Sequence, residues 1–212
     1  DTPFERVYDG QNFPPYAYEP TLCSLRAEYD GKTEYLYLPC EDEAIDKAFA
    51  RLGAPTPDVV ELSWEDHCIE SEKWVERFKE IAAEEGVYEL NRLAAAVNSA
   101  DMELEKLWVI AEYAEAEDAR QLARLAKNIN CFTVIKDAVD YDDVGRYVVN
   151  HSDCYAVPPE LEDYFDFNAF AAHVAEEYYG KFVGGNFIYN DTDTSLLDIL
   201  YQDEPMTMRG MQ

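Results

Sequence analysis

From Ser63 to Ile129 the apolar residues recur with a helical period, and that regularity excludes a strand-built middle for this chain. Trp74, Phe78, Ile81 and Ala82 stand at i, i+4, i+7 and i+8, and the run closes at Gly86. Val87, Leu90, Leu93, Ala94 and Val97 make a second stripe. "MELEKLWVIAEYAEA" (102–116) and "EDARQLARLAKNI" (117–129) make two more, the last through Leu122, Leu125, Ala126 and Ile129. Four such helices joined by short connections predict a compact helical bundle over residues 63–138.

On either side the pattern changes. Residues 1–62 are rich in turn formers, Pro14, Pro15, Pro20, Gly31, Pro39, Pro55 and Pro57 among them. The runs "LCSLRAEY" and "KTEYLYLP" flank Asp30-Gly31 and predict a β-hairpin. "EDEAIDKAFARLG" predicts a short helix through Ile45, Phe49 and Leu52, stopped by Gly53, and "DVVELSW" a returning strand. Beyond the bundle, "CFTVIKD" predicts a strand and "YDDVGRYVVN" a helix whose first acids suit its positive end. Pro159 fits a first helical turn, and Asp166 is placed to cap a helix whose Phe167, Phe170, Ala171 and Val174 share a stripe. In "PPELEDYFDFNAF" (158–170) the rings are therefore expected in the core and the acids partly at caps. "KFVGGNFIYND" is expected as a strand bent at Gly184-Gly185, and residues 191–212 as a short helix with a frayed, Met-containing end. The fold class expected is α+β, in three small domains: an N-terminal hairpin/α unit (1–62), the helical bundle (63–138) and a C-terminal α+β unit with an extra tail (139–212).

Charge decides which functions survive. The chain holds 45 Asp and Glu against 17 Lys and Arg, a formal charge of -28, in a composition that is 48% hydrophobic. Acidic against basic residues number 13 and 5 in 1–62, 17 and 9 in 63–138, and 15 and 3 in 139–212, so the charge is spread along the chain. Acids interleaved with core-type residues describe a folded acidic surface, not a disordered tail. Such a surface repels nucleic acid and anionic membrane, and its self-repulsion needs an offsetting benefit.

The usual chemistry is missing from the sequence. No phosphate-binding glycine loop occurs among the 9 glycines, and His67, His151 and His173 form no metal-binding motif. "DHC" at 66–68 and "HSDC" at 151–154 each lack the second half of a Cys-His nucleophile or zinc set. Glu84-Glu85, Asp142-Asp143 and Glu176-Glu177 are carboxylate pairs of the kind that acid/base or divalent-cation chemistry uses, but among 45 acids pairs arise by chance. Cys23, Cys40, Cys68, Cys131 and Cys154 form no C-x-x-C and are expected as reduced thiols in a cytoplasmic protein. No window has the run of about 18 to 20 apolar residues that spans a membrane.

What remains is the charge itself. B-DNA carries one negative charge per about 1.7 Å of axis, so this surplus matches the phosphates of roughly fourteen base pairs. An enzyme that grips DNA in a basic groove could be filled by such a surface.

Four segments carry a resemblance: "ELNRLAAAVNS" (89–99), "YDDVGRYVVN" (141–150), "VPPELEDYFDFNAFAAHVAEE" (157–177) and "GKFVGGNFI" (180–188). In their order and spacing the chain resembles the ArdA antirestriction family over about residues 85 to 190. Leu161, Asp163, Tyr164, Phe165, Asp166, Phe167 and Phe170 are similar to the family pattern L-x-D-Y-[IF]-D-[YF]-x-x-[YF]. Where the family continues Gly-Arg-Asp, this chain has Ala171, Ala172 and His173. The resemblance implies an elongated, curved, dimeric α+β protein of three small domains whose carboxylates imitate the phosphates of bent B-DNA. It implies as partner a type I restriction-modification enzyme, met in the DNA groove of its methyltransferase and specificity core, with no catalysis and no cofactor.

The contact candidates are Glu103, Glu112, Glu115, Glu117 and Asp118 of the bundle, and Asp140, Asp142, Asp143, Glu160, Glu162, Asp163 and Asp166 of the third segment. Each has an ordinary alternative as a solvated helix face or an N-cap, so their role is collective. Two other functions fit the sequence: an acidic inhibitor or chaperone for a different basic partner, and a hydrolase or metal-dependent enzyme built on an acid pair. Tyr147, Tyr164, Phe165, Tyr178 and Tyr179 suit a core or a dimer interface equally.

Overall fold

The structure is a computed structural model that describes residues 21–98, 102–151 and 155–201. Pro14, Pro15, Pro20, Cys154 and the Met-containing end lie outside the described residues. The fold is α+β, with two antiparallel sheets of three strands each. Its residues divide into two compact units: the chain up to Met102 with Asp118–Ala123, and Glu103–Glu117 with the chain from Arg124 onward.

In the first unit, β1 (Cys23–Tyr29) and β2 (Lys32–Leu38) form the expected hairpin. Asp30 and Gly31 both take positive φ, 49° and 75°, the left-handed pair that lets a two-residue turn follow the strand twist. β3 (Glu61–His67) pairs with the other edge of β1, giving the order β2-β1-β3. It begins later than expected, because Pro57 with its fixed φ opens a 3-10 turn over Pro57–Val59. Cys23, Leu25 and Ala27 alternate into the core from β1, as a period of two requires. Helices α1 (Asp42–Leu52), α2 (Glu72–Glu84) and α3 (Val87–Val97) bury the anticipated stripes, led by Phe49, Trp74, Phe78 and Leu90. Asn91 is buried in α3, where its Oδ1 accepts from the Cys40 amide (2.9 Å) and its Nδ2 donates to the Cys40 carbonyl (2.8 Å). That clasp satisfies both polar ends of a side chain whose burial would otherwise be costly.

α4 (Leu104–Ala114) belongs to the second unit, and α5 (Ala119–Lys127) starts in the first and ends in the second. The four central helices are thus shared out: α2 and α3 pack on each other, whereas α4 packs on the second sheet. That sheet comprises β4 (Phe132–Ile135), β5 (Lys181–Val183) and β6 (Asn186–Asn190) in the order β4-β6-β5. The bent strand expected around Gly184-Gly185 is instead the β5–β6 hairpin. Two successive glycines at φ 56° and 79° reverse the chain rather than bend it. α6 (Tyr141–His151) and α7 (Phe167–Glu177) pair with each other, and the short α8 (Leu196–Tyr201) closes the described chain. Ile135, Val144, Val148, Ala171, Val174 and Phe187 form the core of this unit. The α6–α7 crossing is close at Gly145, where any Cβ would collide with the carbonyl of Phe167.

Candidate functional site

The acids of the second unit begin at the start of α6. Asp140 precedes the helix and accepts from the Asp143 amide (3.1 Å), while Asp143 accepts from the Val139 amide (3.0 Å). The two carboxylates satisfy amides that the helix start leaves unpaired, in the manner of a capping box. Asp142, one turn before Arg146, holds its guanidinium at 2.6 Å. That hydrogen bond, foremost, pushes Arg146 above its ordinary basicity, with the charges of Asp142, Glu162 and Asp143 acting in the same direction. Arg146 also lies over the Phe167 ring at 4.4 Å, so one cation joins α6 to the start of α7.

Between the two helices, Pro159–Tyr164 forms a 3-10 turn that carries Glu160, Glu162 and Asp163, all exposed. Its C-terminal end is anchored by Phe165, whose ring meets Phe167 at 4.9 Å and Phe170 at 5.7 Å. Asp166 then caps α7, accepting from the Ala169 amide at 2.9 Å as the sequence suggests. The rings of this stretch do not all turn inward: Tyr164 is 86% exposed and Leu161 54% exposed. In a single 3-10 turn the side chains have no long apolar face to share, so only those abutting α7 are drawn in.

The remaining candidates are distributed. Glu103, Glu112, Glu115 and Glu117 are exposed on and beside α4, in the second unit; Glu115 ends the helix in a left-handed conformation, φ 54°. Asp118 lies in the first unit and caps α5 through the Gln121 amide (2.8 Å). Five of the candidates therefore have folding roles (Asp118, Asp140, Asp142, Asp143 and Asp166), and the others stand at the surface. Glu105, Asp137, Glu176 and Glu177 are exposed as well and add to the surface acids of the second unit. Sequence reasoning passed over Glu105 and Asp137 and took Glu176-Glu177 only as a chance carboxylate pair, although the polar side of a helical stripe could have named Glu105, Glu176 and Glu177. Among the described residues no Asp or Glu is buried; the buried polar side chains are Ser24, Asn91 and Gln121.

The family model for the antirestriction protein ArdA matches residues 31–189. The chain belongs to the ArdA antirestriction family. The match takes in β2, α1 and β3 as well as the four segments singled out above, and β1 lies before its start. The ArdA family consists of inhibitors of type I restriction enzymes and is not an enzyme family. No curated protein matches the chain. The ArdA pattern around Leu161–Phe170 now has a physical content: Asp166 caps, Phe165, Phe167 and Phe170 pack, and Asp163, Tyr164 and Leu161 face solvent.

The histidines and thiols weighed in the sequence have ordinary places in the fold. The His67 and His151 rings hydrogen-bond the Ile69 and Tyr147 carbonyls, at 3.0 and 2.8 Å. Burial pushes the Cys23 thiol up to about 12, far from a thiolate nucleophile. Among the described residues, no cluster of three or more His, Cys, Asp or Glu is arranged to hold a metal ion, and no helix is long and apolar enough to cross a membrane.

Proposed function

We propose that this antirestriction protein works as a B-DNA mimic, filling the DNA groove of the methyltransferase and specificity core of a type I restriction-modification enzyme with a distributed acidic surface. The observation that carries the reading is that no described carboxylate is buried in a chain with a formal charge of -28. Charges at the surface keep their field in solvent, where they can replace phosphates in displacing counterions from a basic groove. On this reading Glu103, Glu112, Glu115, Glu117, Asp118, Asp140, Asp142, Asp143, Glu160, Glu162, Asp163 and Asp166 act together. The protein works as a cytoplasmic homodimer, which doubles the length of duplex imitated. Residues 1–62, 63–138 and 139–212 are its three successive functional segments.

Collective neutralisation tests the proposal. Changing Glu103, Glu112, Glu115, Glu160, Glu162 and Asp163 together to their amides should weaken inhibition of a type I enzyme by about ten-fold or more, while each single change costs less than about two-fold. Glu103 and Glu115 stand at the two ends of α4 but cap it through their backbone, which an amide side chain leaves unchanged, so the fold should persist. Full inhibition by the six-fold variant would refute the collective charge mechanism.

A further inference from the structure

Beside the α6–α7 pair a cavity of about 340 Å³ is lined by Tyr147, His151, Tyr155, Tyr178, Tyr189 and Asp191. Four phenol rings and an imidazole ring surround one space over Val148 and Val174; Tyr147, Tyr178 and Tyr189 pack on the core on one side and none of the five rings is fully buried. Their positions are fixed. His151 stacks on Tyr147 at 4.0 Å and 15°, and donates its Nδ1 proton to the Tyr147 carbonyl. The rings of Tyr178 and Tyr189 stand 5.9 Å apart at 46°, two walls meeting at an angle. Tyr155 is held edge-on against Phe170 at 5.0 Å. Asp191 receives the Thr133 hydroxyl at 2.7 Å, which leaves its other oxygen available at the rim.

The electrostatics of this space have one sign. Aromatic faces are negative, a carboxylate stands beside them, and among the described residues no Lys or Arg lines the cavity. Burial raises the Tyr189 hydroxyl above its ordinary value, and the nearby Asp191, Tyr147 and Tyr178 push it the same way against a hydrogen bond with Thr133. A space that resists further negative charge and is walled by rings suits a cation with apolar flanks.

We infer that this cavity binds an organic cation, a quaternary ammonium or a guanidinium. The inference rests on the rings and Asp191 and not on the proposed DNA mimicry. The cation could be a free small molecule or an arginine side chain of a partner, and the probes separate the two.

The test uses the full chain with ring-labelled tyrosine, its NMR signals assigned by single Tyr→Phe variants. Choline and N-acetyl-arginine amide are titrated against their neutral counterparts, 3,3-dimethyl-1-butanol and N-acetyl-citrulline amide, at constant ionic strength. The signals of Tyr147, Tyr178 and Tyr189 should move together and saturate with at least one cation, with a preference of about ten-fold over its neutral counterpart. Tighter choline binding assigns a free ligand, and tighter arginine binding assigns a side chain. Asp191→Asn, which keeps an acceptor for Thr133, should weaken the cation several-fold; Tyr178→Leu should abolish saturation in a chain whose circular dichroism is unchanged. Equal response to the neutral counterparts, shifts reproduced by sodium chloride alone, or unchanged affinity in Asp191→Asn would overturn the assignment.

Discussion

Gly145 carries more of the second unit than its size suggests. It sits buried inside α6, where glycine costs roughly 0.5 to 1 kcal/mol relative to alanine in an exposed helix. That preference reverses here because the carbonyl of Phe167 occupies the space of a Cβ. Gly145→Ala should therefore destabilise the protein by about 1 to 3 kcal/mol through overpacking, read as a lower urea midpoint; a rise in the midpoint would show that the two helices can part without loss. Cysteines offer a second residue-scale test. Burial, with help from Asp42 and Glu41, pushes the Cys40 thiol up to about 11. Alkylation needs the thiolate, and a raised value means less thiolate at any lower pH, so Cys40 should stay unlabelled by iodoacetamide at pH 8 and react only as the pH nears that value. Cys68 is exposed and should label before Cys40, as peptide mass spectrometry would reveal. Equal labelling of the two at pH 8 would contradict this account of Cys40.

Among the elements, the caps were the most readable part of the candidate site. Asp166 precedes a helical stripe in the sequence and caps α7 in the fold. Asp166→Ala should cost about 0.5 to 2 kcal/mol of stability in a denaturant titration, with little direct effect on partner binding beyond one lost charge. The first hairpin was legible because Asp30-Gly31 separates two alternating runs, and the helical stripes because each repeats over several turns. The second hairpin was not, since β5 has only three residues and too short an alternation to announce a strand. The exposure of Tyr164 and Leu161 was hidden for a related reason: a six-residue 3-10 turn has no period to read. The grouping of α4 with the second sheet and the clasp of Asn91 on Cys40 join residues far apart in the chain, which local pattern does not encode. Spacing also cannot tell a capping acid such as Asp143 from an outward one such as Glu162; only the hydrogen bonds separate them.

For the whole molecule the dominant fact is the sign of its charge. A formal charge of -28 on 212 residues opposes compaction, yet the chain has an extensive apolar core in both units. The core makes the repulsion tolerable, and the proposed mimicry is what gives the charge a use. Surface charge acts over roughly a Debye length, about 8 to 10 Å in physiological salt, so its work is shared and salt-sensitive. The most direct measurement is a competition near physiological salt between the purified protein and a labelled duplex for a type I methyltransferase core. The account predicts displacement at stoichiometric amounts, weakening steeply as salt is added. A core that keeps its duplex at saturating protein would contradict DNA mimicry and send the search to another basic partner.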